Sequence, residues 1–296
     1  MQEVDCIFLL TFISLPEPSV NFLLSSLKDA PVFFVVMAFF IIWVSCWLPI
    51  AALTAFVLKW QPSQLLQPDK KLPLLVSLYL LAPFILWGMS WLTNTPFSDY
   101  GFIGNVSTLY SLVVGLALGI LSITLVFSWQ LWLGWCSFQW SNIKLVRPIL
   151  LPILLVALFV GGIEELIFRG FVFTELEKDS SVWLAAVISS SIFALLHLVW
   201  EQRETIPQLG GLWFMGMVLV LARFVDGGSI GLAWGLHTGW IWAIATIDTA
   251  ALIDYTGNVS DWVTGKNKKP LAGVAGVLCL LLTGGVLWLW AIFQPK

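Results

Sequence analysis

Eight apolar stretches, most of them long enough to cross a bilayer, restrict this chain more than any other feature. They are Val32–Leu58, Pro73–Thr93, Val106–Phe127, Ile149–Phe173, Val182–Trp200, Gly211–Phe224, Ser229–Ile253 and Leu271–Phe293, the sixth being short. About 20 predominantly apolar residues span the hydrocarbon core as a helix. A helix also satisfies its own backbone polar groups, which lipid cannot do. The expected fold is therefore all-α: an integral, multi-pass membrane protein with about eight transmembrane helices. Pro16-Glu17-Pro18 interrupts the apolar N-terminus, so residues 1–31 read as an interfacial or re-entrant segment. Residues 32–296 read as a single transmembrane domain. The Trp-rich stretch Trp129–Trp140 is expected to extend the third helix along the interface.

Composition agrees. The chain is 59% hydrophobic and only 10% charged, where soluble domains carry about 25% charged residues. A net charge of −3 and the lack of a basic stripe argue against nucleic acid as a partner. Cys6, Cys46, Cys136 and Cys279 are dispersed in apolar settings without zinc-site spacing, and read as small buried hydrophobes.

Against this background the charged residues inside the apolar stretches stand out. The run Gly161-Gly-Ile-Glu-Glu-Leu-Ile-Phe-Arg169 holds Glu164, Glu165 and Arg169. Unpaired and facing lipid, three such charges would cost roughly 8–10 kcal/mol. The default reading is a polar site inside the protein. Glu165 and Arg169 are four residues apart and can pair on one helix face. Glu164 is rotated by about 100° and is left to face elsewhere. One carboxylate can thus be held by the guanidinium while the other acts as a base. Read alone, the run is equally compatible with a charged helix end at the interface.

The chain's two histidines lie in later apolar stretches. Phe193-x-x-x-His197 places a ring and an imidazole on one face. His237 sits in Gly231-x-x-x-Gly235-x-x-x-Gly239, a ridge of small residues suited to close helix packing. His237 falls roughly opposite that ridge, alongside Trp234, Trp240 and Ile241. Singly, either histidine reads as a packing residue. Together with the two glutamates they form a sufficient set for activating water, with or without zinc.

The order Glu-Glu-x-x-x-Arg, then Phe-x-x-x-His, then His in a Gly-rich helix resembles the CAAX prenyl endopeptidase and bacteriocin-processing (CPBP, or Abi) family of intramembrane proteases. The resemblance covers about 149–253, which would be the protease-like core. It implies an endopeptidase that hydrolyses a peptide bond of a membrane-associated protein or peptide, prenylated or plain, with membrane lipid as the other partner. By resemblance Glu164 would activate the attacking water, and Glu165 with Arg169 would hold the site in shape. His197 would position or deprotonate that water, and His237 would stabilise the oxyanion. The family usually has His-x-x-x-Asn, whereas Ile241 occupies the fourth position after His237. Losing one oxyanion donor costs roughly 10²–10³ in rate. Thr238, Asn258 or a backbone amide are the candidate substitutes.

The resemblance leaves metal use open, since the family is described both as metalloproteases and as glutamate proteases. If zinc is used, Glu164, His197 and His237 are the expected ligands. With no HExxH motif, and with Glu164 poorly suited to be both ligand and base, a metal-free mechanism is the preferred expectation. The alternative to a protease is a weak or inactive relative serving as a membrane scaffold or chaperone for a membrane protein, lipid or pigment. A proton-coupled transporter is the third reading, and the lack of visible repeats counts against it.

Overall fold

The computed structural model describes residues 30–60, 68–199 and 202–293. The N-terminal segment expected to be interfacial therefore lies, up to residue 29, outside the described residues. Two compact units divide at Thr95 and Pro96.

The first unit contains α1 (Val32–Val57) and α2 (Pro68–Thr93). Trp43 fastens the pair, its indole N–H donating to Leu78 O at 2.9 Å, and Trp47 donates to Ser77 Oγ at 3.0 Å. In lipid there is little hydrophobic drive between helices, so interhelical hydrogen bonds and close contacts do the joining.

The second unit contains α3 (Val106–Trp132), α4 (Val146–Glu165), a widened π-helical turn at Leu166–Val172, and α5 (Phe173–Asp179). It continues with α6 (Val182–Leu196), α7 (Leu209–Val225), α8 (Gly231–Thr249) and α9 (Val274–Phe293). Among the described residues, seven helical segments are long and apolar enough to cross a membrane. The chain is an integral, multi-pass membrane protein of all-α class. The fourth of these segments is longer than expected, running from Trp140 to Asp179 through the widened turn, and the sixth begins at Gln202.

The helix α8 is the exception, being long but rich in Gly, Trp and Thr, with His237 among them. Its small-residue ridge is used as expected. A Cβ on Gly235 would collide with the Leu112 carbonyl of α3, and one on Gly239 would come within 2.6 Å of Leu116 O. The other side of this contact is Gly115 and Gly119 of α3, a second small-xxx-small pair. The contacts advance in step along both helices, so α3 and α8 run parallel. On its other side α8 ties itself to α4. Trp234 Nε1 donates to Leu158 O at 2.9 Å and Trp242 Nε1 to Leu150 O at 2.8 Å. The start of α8 is capped by Asp226, which accepts from Leu232 N at 3.0 Å.

The Trp-rich stretch continues the third helix only as far as Trp132. The chain turns after Trp132 at Gly134, whose φ of 71° suits glycine. It then forms a short strand β1 (Cys136–Phe138), paired antiparallel with β2 (Ile253–Tyr255) just beyond α8.

Candidate active site

The last turn of α4 carries Glu164 and Glu165, and both side chains are buried. Glu165 Oε1 accepts from Arg169 Nη1 at 3.1 Å, the pairing expected from their spacing. The same oxygen lies 2.7 Å from His237 Nδ1 on α8. The other imidazole nitrogen, Nε2, lies 3.6 Å from Glu164 Oε2. Glu164 therefore does not face away from its neighbour's cluster. Two adjacent carboxylates flank one imidazole, each addressing a different nitrogen.

Glu165, Arg169 and His237 are nearly or fully out of solvent. Such a group is costly to hold unless each charge is answered. The guanidinium of Arg169 is met on one side by Glu165. On another side it lies over the ring of Phe193, 4.4 Å from the centroid, where the quadrupole attracts a cation. Glu165 Oε2 and Arg169 Nε and Nη2 have no hydrogen-bond partner among the described residues. Two carboxylates thus meet one guanidinium and one imidazole.

Phe193 also collects the histidines. Its ring is 4.7 Å from that of His197 and 6.0 Å from that of His237. His197 itself is half-buried in the turn that ends α6, with Nδ1 2.8 Å from Phe193 O. The structure thus brings Glu164, Glu165, Arg169 and His237 into direct polar contact. Among the described residues His197 adjoins them through Phe193, a residue whose part as a shared aromatic platform its spacing from His197 did not reveal.

A zinc ion would need at least three protein ligands converging on one point. Among the described residues no three His, Cys, Asp or Glu side chains are grouped as a metal ion requires. As placed, Glu164, His197 and His237 do not fit the group.

Other expected neighbours are elsewhere. Trp240 does not line the His237 face; its indole N–H donates to Ser122 Oγ of α3 at 2.9 Å. Asn258 is exposed near β2 and donates to Gly134 O at 3.1 Å, so it supplies nothing to the site. Thr238 is fully buried against α4, but its hydroxyl reaches toward Ala157 O at 3.5 Å, about two turns before Glu164. Ile241 is half-buried and has no polar group to offer.

Taken together, helices and site define a multi-pass membrane protein with a buried glutamate–histidine–arginine cluster. Residues 145–243 match the family described as Type II CAAX prenyl endopeptidase Rce1-like, the family that the three motifs resemble. The matched stretch runs from the start of α4 to the middle of α8 and contains every residue of the cluster. The family is one of peptidases. Comparison with curated proteins finds no match, and comparison with solved structures finds none either.

Proposed function

We propose that the protein is an intramembrane endopeptidase acting on a membrane-associated protein or peptide, with Glu164 as the general base. The observation that carries this reading is the convergence of Glu164 and Glu165 on the two nitrogens of His237 in a buried site. Glu165, already paired with Arg169, accepts the Nδ1 proton and fixes the imidazole's orientation. With Glu165 on Nδ1, the other nitrogen, Nε2, is the one turned toward Glu164. Glu164 then serves as the carboxylate base and His237 Nε2–H as the oxyanion donor, so one state of the site supplies both.

The reaction follows from that state. Glu164 takes a proton from water as the water oxygen bonds to the scissile carbonyl carbon. The carbonyl oxygen becomes an oxyanion, and His237 Nε2–H donates to it. The C–N bond then breaks as Glu164 returns its proton to the leaving amine. His197, half-buried beyond the Phe193 ring, orients water or substrate. No step uses a metal. A prenylated C-terminus is the substrate type implied by the family, and a plain membrane-anchored peptide is equally accommodated by this chemistry.

A second reading is supported by Ile241. The fourth position after His237 offers no carboxamide, and neither Asn258 nor Thr238 stands in for it. A relative lacking one oxyanion donor would serve as a membrane scaffold or chaperone for a protein, lipid or pigment.

The deciding experiment is cleavage of quenched prenylated and plain peptide reporters by purified protein in lipid nanodiscs, with and without a zinc chelator. Chelator-insensitive cleavage that falls by about 10²–10⁴ in Glu164→Gln is expected, the range a general base supplies. No cleavage of either reporter by folded wild-type protein would favour the scaffold. Cleavage abolished by the chelator would refute the metal-free mechanism.

A further inference from the structure

Arg223 belongs to none of the three motifs, yet it is the second arginine buried in this unit. It lies in the last turn of α7. All three of its nitrogens donate to oxygens. Nε donates to Gly228 O at 3.0 Å and Nη2 to Asp99 O at 3.0 Å. Nη1 donates to Arg169 O and, at 3.0 Å, to Thr174 Oγ1. The guanidinium also lies 5.2 Å from the Phe173 ring centroid. A cation is expensive inside a membrane protein. Here a planar fork of donors is spent mainly on backbone carbonyls from three separate stretches of chain.

Two of those carbonyls bear on the site. Arg169 O is in the widened turn that follows Glu164 and Glu165. Gly228 O is in the turn that leads into α8 and so to His237. A π-helical turn is an uncommon, strained departure from the α-helix that concentrates at functional sites. A second carbonyl of this turn is held from outside as well. Ser189 Oγ, on α6, donates to Phe168 O at 2.7 Å, while Phe173 N–H reaches the same oxygen from five residues on. Ser189 stands one turn before Phe193, whose ring covers Arg169. The two donors therefore grip the turn from opposite neighbours, α6 and α7.

We infer that Arg223 and Ser189 are positioning residues: they clamp the carbonyls of the Leu166–Val172 turn and thereby set where Glu164 and Glu165 meet His237. The catalytic consequence rests on the protease reading above, but the positional consequence does not. A small displacement of a reacting group costs on the order of 10² in rate even when the substitution is remote from the chemistry.

The chain's having only two histidines makes the test clean. The full chain in nanodiscs is labelled with 15N-histidine, and the resonances are assigned through His197→Gln. Arg223→Lys keeps the charge but loses the fork, and Ser189→Ala removes one hydroxyl. The His237 Nδ1 resonance is expected to move in both variants while that of His197 stays. With a cleaved reporter, kcat is expected to fall about 10²-fold with KM little changed. An unmoved His237 resonance in folded variants overturns the clamp, even if kcat falls. Should Arg223→Lys fail to fold, Ser189→Ala decides alone. If wild-type protein cleaves no reporter, the protease reading fails separately and the resonance still decides the clamp.

Discussion

The helices α1 and α8 are both long, yet they are built to opposite rules. α1 is apolar from Val32 to Val57 and buries only Val35, Val36, Phe39 and Trp43. The rest of its surface carries large exposed side chains such as Phe33, Ile41, Leu53 and Phe56, suited to lipid. α8 is unbroken in its burial from Gly235 to Trp240 and includes three glycines, two threonines and His237 among its buried residues. Among the described residues it is the long helix that does not qualify as an apolar span, and α3 and α4 pack against it. In such a chain apolarity marks contact with the bilayer, and polarity marks the place where chemistry can be hidden.

The contrast can be broken most forcefully at Arg169. Arg169→Ala leaves Glu165 buried without its cation, which costs about 3–5 kcal/mol. Thermal melting in detergent should show this, and adding Glu165→Gln should restore part of the loss. If Arg169→Ala melts like the wild type, burial around α8 does not depend on charge pairing.

A smaller effect separates glycines that pack from glycines that do not. Gly235→Ala drives a methyl into the Leu112 carbonyl, an overpacking that costs about 1–3 kcal/mol. Gly88→Ala in α2 meets nothing within 4 Å. That change should stabilise its helix by about 0.5–1 kcal/mol. Equal melting shifts of the same sign for the two variants would remove the distinction. The least effect is expected on the lipid face of α1, where Ile41→Val should change stability by less than about 0.5 kcal/mol.

The sequence went far toward this picture for definite reasons. Apolar length announces a spanning helix, so the all-α class was legible. Charge inside such a stretch is costly enough to announce a site, so Glu164, Glu165, Arg169 and His237 were legible too. The i,i+4 spacing gave the Glu165–Arg169 pair, and the Gly231, Gly235 and Gly239 ridge gave the packed face of α8. What was not legible depends on neighbours distant in sequence. The widened turn at Leu166–Val172 has no residue signature, because it is held by Ser189 and Arg223 from other helices. Trp240 was placed near His237 by helical angle, but Ser122 of α3 draws its indole to the other side. Asn258 was available by residue type alone, and β2 carries it to Gly134 instead.

The most direct test of the account is the division of labour between two adjacent glutamates. Purified Glu164→Gln and Glu165→Gln would be compared for melting temperature and for reporter hydrolysis. Glu164→Gln is expected to fold like the wild type and to lose hydrolysis by about 10²–10⁴. Glu165→Gln is expected to lower the melting temperature, because Arg169 and His237 lose their shared partner. A Glu164→Gln protein that hydrolyses the reporter at the wild-type rate would rule out Glu164 as the base.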